Sequence, residues 1–224
     1  MLYCTAGVNT TFSEKPNNSH TETLMSFRAF CRSAVLLLLI FGLAAPTQAG
    51  EPTDQMKLTI DKIIDILNDP ALKGPAKAEE RRTQMRRVAD ERFDWREMAR
   101  RSLAKHWKQR TEEEKREFVP LFTDLLERAY LKRIENYSGD KVSYDDEKVK
   151  GKYSLVKVKI FTDKQVEIPV AYKMKKKGPE WKIYDVSIEG VSLVNNYRKQ
   201  FDSVILSSSY EGLVEKLKEK VVKN

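Results

Sequence analysis

Cysteine and histidine are nearly absent from the larger part of this chain. Both cysteines, Cys4 and Cys31, precede residue 50, and of the two histidines only His106 follows it. The region after residue 50 therefore cannot form a disulfide, use a thiol nucleophile or bind a metal through thiolates. One histidine also cannot form a histidine metal cluster, and a lone histidine on a helix is most often structural.

Glycine-rich phosphate loops are missing as well. Ser192 follows Gly190 but lacks the second glycine of a nucleophile elbow, so we expect it to cap the next helix. The acidic cluster Asp145, Asp146 and Glu147 could serve acid–base chemistry or a hard cation, but no second segment supplies further ligands and a solvated turn is the simpler interpretation. Without a histidine partner for a serine, a small hydrolase is disfavoured and we expect no enzyme activity.

The charge balance favours anionic partners. The chain has 41 Lys and Arg against 33 Asp and Glu, a net charge of +8, and nearly all of this excess lies after residue 50. Outside the cytoplasm such a surface suits lipid headgroups or membranes better than nucleic acid. A basic surface that only aids solubility is an equally open interpretation.

The first 49 residues have the pattern of a secretory leader. Met25 is a second possible start, and Arg28 and Arg32 form a basic region after it. An apolar run follows at 34–45 and a small-residue cleavage site at 47–49. We predict a signal peptide at 1–49, because the apolar run is too short for a comfortable membrane span. An uncleaved anchor is the alternative. Residues 50–224 then form one exported domain of ordinary length.

Apolar residues recur at helical spacing in several stretches. We predict helices at 55–68, at 76–92, after Asp94, after Thr111, from the Gly190 corner to about Leu206, and after Ser209. The helix after Thr111 is apolar over more than one stripe and opens with a Thr111–Glu114 capping box. We expect Pro120 to divide it in two, unless the helix begins near Phe118 and Pro120 lies in its first turn. The helix at 76–92 is mostly charged, so it should be exposed, with its arginines paired to its own acidic residues or free to contact an anionic partner.

Strand periodicity begins after the Ser138-Gly139-Asp140 turn. We predict four strands at 141–149, 152–161, 165–175 and 180–188, joined at Gly151, at 162–164 and at 177–179. The short turns imply antiparallel hairpins with one face covered by helices, which is an α+β fold in a single domain. Pro169 suits an edge strand or a bulge better than a central position.

Polar residues interrupt this apolar pattern at Asp185 and Arg198. We expect both to be half-buried and structural, held by a salt link or by hydrogen bonds at the Gly190 corner, because a desolvated charge needs a partner. Headgroup contact is the lesser alternative. The apolar side chains of the long helix and of the strands can enclose either a filled core or a hollow one, and periodicity does not separate the two.

Two signatures in the chain resemble the MlaC or toluene-tolerance family of periplasmic phospholipid carriers. The first is Phe93-Asp94-Trp95 with Met98, Leu103 and Trp107, followed by the apolar helix from Phe118 to Tyr130. The second is Trp181, Tyr184-Asp185, Glu189-Gly190-Val191-Ser192, Asn196-Tyr197-Arg198 and Phe201. Together they cover nearly all of the chain after the leader. One departure is Ala104, where the resemblance leads us to expect glycine.

The resemblance implies a twisted antiparallel sheet of about four strands that packs against several helices around a deep apolar pocket. The pocket would hold phospholipid acyl chains and leave the headgroup near solvent. We expect it to be lined by residues from both layers: Trp107, Phe122, Leu125, Leu126, Tyr130, Val156, Val158, Ile160, Val170, Tyr172, Ile183 and Val191.

The resemblance also implies a function and partners. The protein would be a periplasmic monomer that carries phospholipid as cargo, needs no cofactor, and docks transiently on an outer-membrane lipoprotein and porin complex and on an inner-membrane ABC transporter with an MCE protein. The alternative is an exported adaptor that carries no lipid and binds a protein partner through its basic helix at 76–92.

Overall fold

The computed structural model describes residues 51–135, 141–162 and 166–222. The predicted leader at 1–49, the turn at 138–140 and part of the turn at 162–164 lie outside the described residues. Within them, no helix is both long enough and apolar enough to cross a bilayer.

The predicted helices are confirmed, with small shifts at their ends. The described residues contain six α-helices: α1 Glu51–Asn68, α2 Ala78–Arg92, α3 Trp95–Leu103, α4 Glu112–Glu135, α5 Leu193–Ser207 and α6 Tyr210–Val222. Short 3-10 turns at Pro70–Leu72 and Pro75–Lys77 lie between α1 and α2, and a 3-10 helix at Ala104–Gln109 lies between α3 and α4. In α2 only Met85 is buried, so this helix is exposed as its charged sequence predicts.

Polar side chains begin these helices as the sequence predicts. The Asp94 carboxylate accepts from the Glu97 amide at the start of α3. Before α4, the Glu114 amide donates to the Thr111 hydroxyl at 3.2 Å and the Thr111 amide donates to the Glu114 carboxylate at 2.6 Å. This reciprocal pair is a capping box and satisfies two amides that lack intrahelical partners. Ser209 caps α6 by accepting from the Gly212 amide.

The prediction that Pro120 divides the long helix is wrong. α4 runs without a break from Glu112 to Glu135 and contains Pro120 in its interior. Pro120 is exposed, so its ring lies on the solvent side of the helix. The helix lacks one backbone hydrogen bond there, and the apolar packing of Phe118 and Phe122, both 0% exposed, holds the flanking turns together.

The strands form one antiparallel meander. Their order in the sheet is the order in the chain: β1 Lys141–Lys150, β2 Tyr153–Phe161, β3 Glu167–Lys177, β4 Glu180–Ile188 and β5 Val191–Ser192. The four predicted strands are confirmed. A fifth strand, β5, has only two residues, which is too short for an alternating pattern to be recognised in the sequence.

Pro169 lies on β3, an interior strand rather than an edge strand. The ladder with β4 begins only at Val170, and the Pro169 carbonyl accepts from the Glu189 amide in the corner beyond β4. A strand residue presents its N–H and its carbonyl to the same side, so the missing N–H of Pro169 faces the side where β4 has ended. The ladder therefore loses no hydrogen bond.

One face of the sheet, which we call the inner face, forms the core. Val156, Val158, Val170, Met174 and Ile183 project from it and are each 6% exposed or less. Burying a side chain of this size stabilises the fold by roughly 1.5–3 kcal/mol. α1 lies close to β1, β2 and β4, while α3 and α5 lie close to β4, so helices cover this face and the edge of the sheet.

Ala104 follows α3 with a φ of 49°, in the region that glycine tolerates best. This conformation costs a residue with a Cβ about 1 kcal/mol. We predict that Ala104→Gly raises the free energy of unfolding by about 1 kcal/mol, measured by urea denaturation. Ala129→Gly on the exposed surface of α4 is the control and should lower it by roughly 0.5–1 kcal/mol. Equal effects of the two substitutions would contradict the strain at Ala104.

Candidate functional site

A buried carboxylate organises the junction between the sheet and the C-terminal helices. Asp185 is 5% exposed and accepts from the Ser192 hydroxyl at 2.8 Å and from the Val194 amide at 3.2 Å. It also pairs with the Lys173 ammonium at 2.9 Å. The Ser192 oxygen in turn accepts from the Asn195 amide and caps α5. The carboxylate thus fixes the corner at which β4 turns into α5.

We expected Arg198 to be held at the Gly190 corner, but its hydrogen bond goes to α3. It is half-buried on α5, and its Nε donates to the Arg101 carbonyl of α3 at 3.0 Å. The Arg101 guanidinium lies 4.1 Å from the centre of the Tyr184 ring. Arg198 therefore joins α5 to α3, and Arg101 joins α3 to β4.

Glu97 completes this connection between α3 and its neighbours. Its carboxylate accepts from Arg100 at 2.6 Å and from Arg101 at 2.7 Å. These hydrogen bonds, led by the one from Arg100, lower the pKa of Glu97 from 4.5 to about 2. The resulting ion pairs hold Arg101 in its position over Tyr184.

Most of the predicted pocket residues meet in one apolar cluster. Those with almost no exposed surface are Trp107 at 8%, Phe122 at 0%, Leu126 at 5%, Val156 at 0%, Val158 at 1%, Val170 at 6% and Ile183 at 0%. Leu125, Tyr130, Ile160 and Tyr172 are half-buried and pack against this cluster. The most deeply buried members touch no space that water could enter, so side chains fill the centre of the interior in this conformation.

The structure does not bring Val191 into this cluster. It lies on β5 and is 57% exposed, because the two-residue strand ends the sheet at the Gly190 corner, where no helix covers it. Trp107 is in the cluster, but its ring borders the surface, where Arg96 and Lys115 each lie 5.5 Å from its centre. Trp107 therefore lies at the rim of the interior.

Half-buried apolar side chains gather at one end of the sheet. Val142, Ile160, Ile168 and Ile188 project from the inner face near the end formed by Lys141, Phe161 and Glu167. α4 runs close to α3 and α6 but less close to any strand. Side chains rather than closely packed backbones therefore bridge α4 and the sheet.

A cavity of about 180 Å³ lies between α4, α5 and α6. Its apolar walls are Leu125, Tyr197, Phe201, Val204, Leu213 and Leu217, and its polar rim is Gln200, Lys216, Glu219 and Lys220. Burial raises the pKa of Tyr197, and the neighbouring Tyr130 hydroxyl raises it further. The cavity thus connects the predicted pocket residue Leu125 with a rim that carries two lysines.

Sequence reasoning missed most of the residues that line this cavity. The spacing of Leu213 and Leu217 identifies α6 as an amphipathic helix but does not show which neighbour it faces. Lys216 and Lys220 are one turn apart on the same helix, a spacing that marked a cationic stripe next to the apolar one. That pair of lysines beside the apolar positions was the feature of the sequence that could have pointed to α6 as part of the site.

The residues considered for chemistry have structural partners. His106 is 7% exposed and lies 2.6 Å from the Asp202 carboxylate of α5. Asp145 pairs with Lys159 at 3.4 Å and Asp146 with Lys157 at 3.1 Å, while Glu147 accepts from the Thr53 amide at the start of α1. No cluster of His, Cys, Asp and Glu suitable for a metal ion occurs in the part of the chain that the structure describes.

The basic helix α2 is also engaged in the fold. Arg86 pairs with Asp90 and Asp124 at 3.2 Å each and with Glu127, so it ties α2 to α4. The Arg81 guanidinium donates to the Leu72 carbonyl at 2.8 Å. Two of the arginines proposed for an adaptor surface therefore serve internal contacts.

Comparison with known proteins decides the family. The sequence model of the MlaC protein family matches residues 57–219, which span α1 to α6. This chain belongs to the MlaC family. The match includes the Asp185 corner and every residue that lines the cavity except Lys220.

Two relatives illustrate the similarity. The intermembrane phospholipid transport system binding protein MlaC of Haemophilus influenzae is 25% identical over 122 residues, which span 52% of this chain and 57% of that protein. A structure of the phospholipid-binding protein of Ralstonia solanacearum in complex with a phospholipid is similar with a TM-score of 0.70 and 24% identity, over 77% of this chain and 97% of that one. The second likeness confirms the α+β fold.

Removing the negative charge at the corner tests its structural role. We predict that Asp185→Asn lowers the free energy of unfolding by about 2–3 kcal/mol, because Lys173 loses its counter-charge and a buried amide must replace a three-fold acceptor. Asp65→Asn, at an exposed position of α1, is the control and should change it by less than about 0.5 kcal/mol. Chemical denaturation of both variants measures the difference, and similar values would contradict the role assigned to Asp185.

The lowered pKa of Glu97 predicts a pH dependence. The folded-state pKa of Glu97 is about 2, below the ordinary value of 4.5. The pairing therefore stabilises the fold fully above pH 4.5, and this stabilisation is lost as the pH falls from 4.5 to about 2. We predict that Glu97→Gln lowers the free energy of unfolding by about 1–2 kcal/mol at neutral pH, a range reduced for the partial exposure of Arg100. The difference from the parent protein should shrink through this acid range, and a pH-independent difference would contradict it.

Proposed function

We propose that this protein is a periplasmic phospholipid carrier without catalytic activity. The observation that carries the proposal is the apolar interior between the sheet and α4, where side chains make the contacts between the two. This interior borders a cavity that has two lysines on its rim. Membership of the MlaC family and the phospholipid bound to the Ralstonia relative support it.

The acyl chains would occupy the cavity that Leu125 lines and the apolar layer next to it, between α4 and the inner face. A cavity of about 180 Å³ is smaller than the ~300–1,000 Å³ of sites that enclose a drug-sized ligand, so a diacyl lipid requires the interior to widen. α4 is the element that would move, because it lies less close to the strands than to α3 and α6. Each methylene transferred from water contributes about 0.8 kcal/mol, which makes opening affordable for two chains.

The headgroup would remain at the surface beside α6. Lys216 and Lys220 stand on the rim of the cavity and can approach a phosphate, while Tyr197 and Gln200 offer hydrogen bonds. The carrier would need no cofactor, because apolar burial and charge pairing account for binding and release.

The cellular setting follows from the same proposal. A leader at 1–49 would export the chain to the periplasm, where it would exchange lipid with complexes of the outer and inner membranes. An outer-membrane lipoprotein and porin complex and an inner-membrane ABC transporter with an MCE protein are the partners we propose, met in turn by a monomeric carrier.

Filling the cavity tests where the lipid lies. We predict that Leu125→Trp reduces the phospholipid that co-purifies with the protein at least severalfold, because the indole occupies space needed by an acyl chain. Leu58→Trp, at a position of α1 that is 62% exposed, is the matched control and should leave the lipid content unchanged. Organic extraction followed by lipid mass spectrometry measures both.

Thermal unfolding of the two variants accompanies the measurement, so that a folding defect is recognised. Full lipid loading of a folded Leu125→Trp variant would contradict the assignment of this cavity. Substitution of the fully buried Val158 is a poorer test, because a larger side chain there should cost roughly 1–3 kcal/mol of stability through overpacking.

A further inference from the structure

The face of the sheet opposite the core, which we call the outer face, carries a row of lysines. Lys150 is the cross-strand partner of Tyr153, Tyr153 of Lys175, and Lys175 of Lys182. Direct partners in an antiparallel ladder project to the same side, so these four residues form one row across β1 to β4. With strands about 4.8 Å apart, the row is about 14 Å long.

The neighbouring row adds two more lysines. Lys148 is the partner of Leu155, and Leu155 of Lys173. We call the five lysines of both rows the basic face: Lys148, Lys150, Lys173, Lys175 and Lys182. Asp185 neutralises Lys173, and Asp146 lies 3.8 Å from Lys148. Lys182 pairs with Glu180 and donates to the Glu91 carbonyl, so its ammonium group is engaged in the fold. Neither Lys150 nor Lys175 forms an ion pair with a residue that the structure describes.

Folding alone does not account for this arrangement. Lys175 lies directly opposite Lys182, so its cross-strand partner is a lysine that is already paired with Glu180 and not an acidic residue. The row also keeps Tyr153 at the surface, 39% exposed, with its ring edge-on to Tyr184 at 6.1 Å. An anionic surface bound to this face would supply the counter-charge that Lys150 and Lys175 lack among the described residues.

We propose that the basic face docks on the anionic phospholipid surface of a membrane. Its charges are spread over a broad sheet surface, which matches a plane of headgroups better than a single ligand. Tyrosine with flanking lysines is the combination that lies at the headgroup level of bilayers, where the ring contacts the apolar boundary and the ammonium groups reach phosphates. The proposal goes beyond lipid carriage, since the face is separate from the interior that would hold the cargo.

Flotation with vesicles tests the proposal. The purified protein should float with vesicles of phosphatidylcholine mixed with phosphatidylglycerol, and not with vesicles of phosphatidylcholine alone. Lys150→Glu/Lys175→Glu should bind the anionic vesicles at least about 25-fold more weakly, because each lost lysine contributes roughly a factor of five and each new glutamate adds repulsion. Added salt should weaken the binding of the parent protein.

A matched control separates the face from total charge. Lys108→Glu/Lys199→Glu reverses two exposed lysines that lie off the sheet, and it should float as the parent protein does. Equal losses in the two double variants, or no preference of the parent protein for anionic vesicles, would overturn the proposal. A parent protein that ignores vesicles but binds an acidic protein through these lysines would overturn it too.

Co-purified lipid is measured on the same samples. Both double variants should keep their phospholipid, since none of the four lysines lines the cavity. An absence of lipid from every sample, with vesicle binding intact, would contradict the proposed function and leave the basic face standing.

Discussion

The structure depends on a charged carboxylate that is taken out of water and fully satisfied. Asp185 accepts hydrogen bonds from a hydroxyl and a backbone amide and pairs with an ammonium group, and these partners offset the desolvation of its carboxylate. It fixes the direction in which α5 leaves the sheet. Phe201 of α5 then meets Phe118 and Phe122 of α4 edge-on, with ring centres 5.7 and 5.8 Å apart. The corner therefore positions the aromatic contacts between α5 and α4, the longest helix among the described residues.

The helical layer is anchored unevenly. α4 is tied to α2 by Arg86 and packs on α3 and α6, yet it approaches the sheet through side chains. A helix held firmly by other helices and loosely by strands can separate from the sheet without unfolding. This difference provides a physical route from a filled interior to a lipid-bearing one, because acyl chains can replace the side-chain contacts with contacts of the same apolar kind. The carrier proposed here uses this route.

Much of the fold follows from the sequence, because helix caps and strand periodicity depend on residues that are close together in the chain. Thr111 and Glu114 sit three residues apart and cap α4 whatever surrounds them, and the alternation around Val156 marks a strand with one buried face. Pro120 misled the prediction because its cost is one hydrogen bond, which the tertiary packing of a buried helix exceeds. The glycine expected after Leu103 is instead Ala104, and the backbone keeps the positive φ.

The candidate site was harder to predict, since it depends on which faces meet. Periodicity identified Leu125 and Tyr197 as apolar positions but did not show that α6 would close the cavity beside them. The family resemblance led us to expect Val191 in the pocket, although the sheet ends there and leaves the residue at the surface. Distances between elements that are remote in sequence, such as α4 and α6, are set by packing and not by any local pattern.

A native mass spectrum of the protein, purified from the periplasm after export with its own leader, tests the central claim most directly. The account predicts a population heavier than the polypeptide by the mass of a glycerophospholipid, which is lost when the protein is denatured and is regained after incubation with vesicles. A spectrum that shows only the bare polypeptide, before and after such incubation, would contradict it.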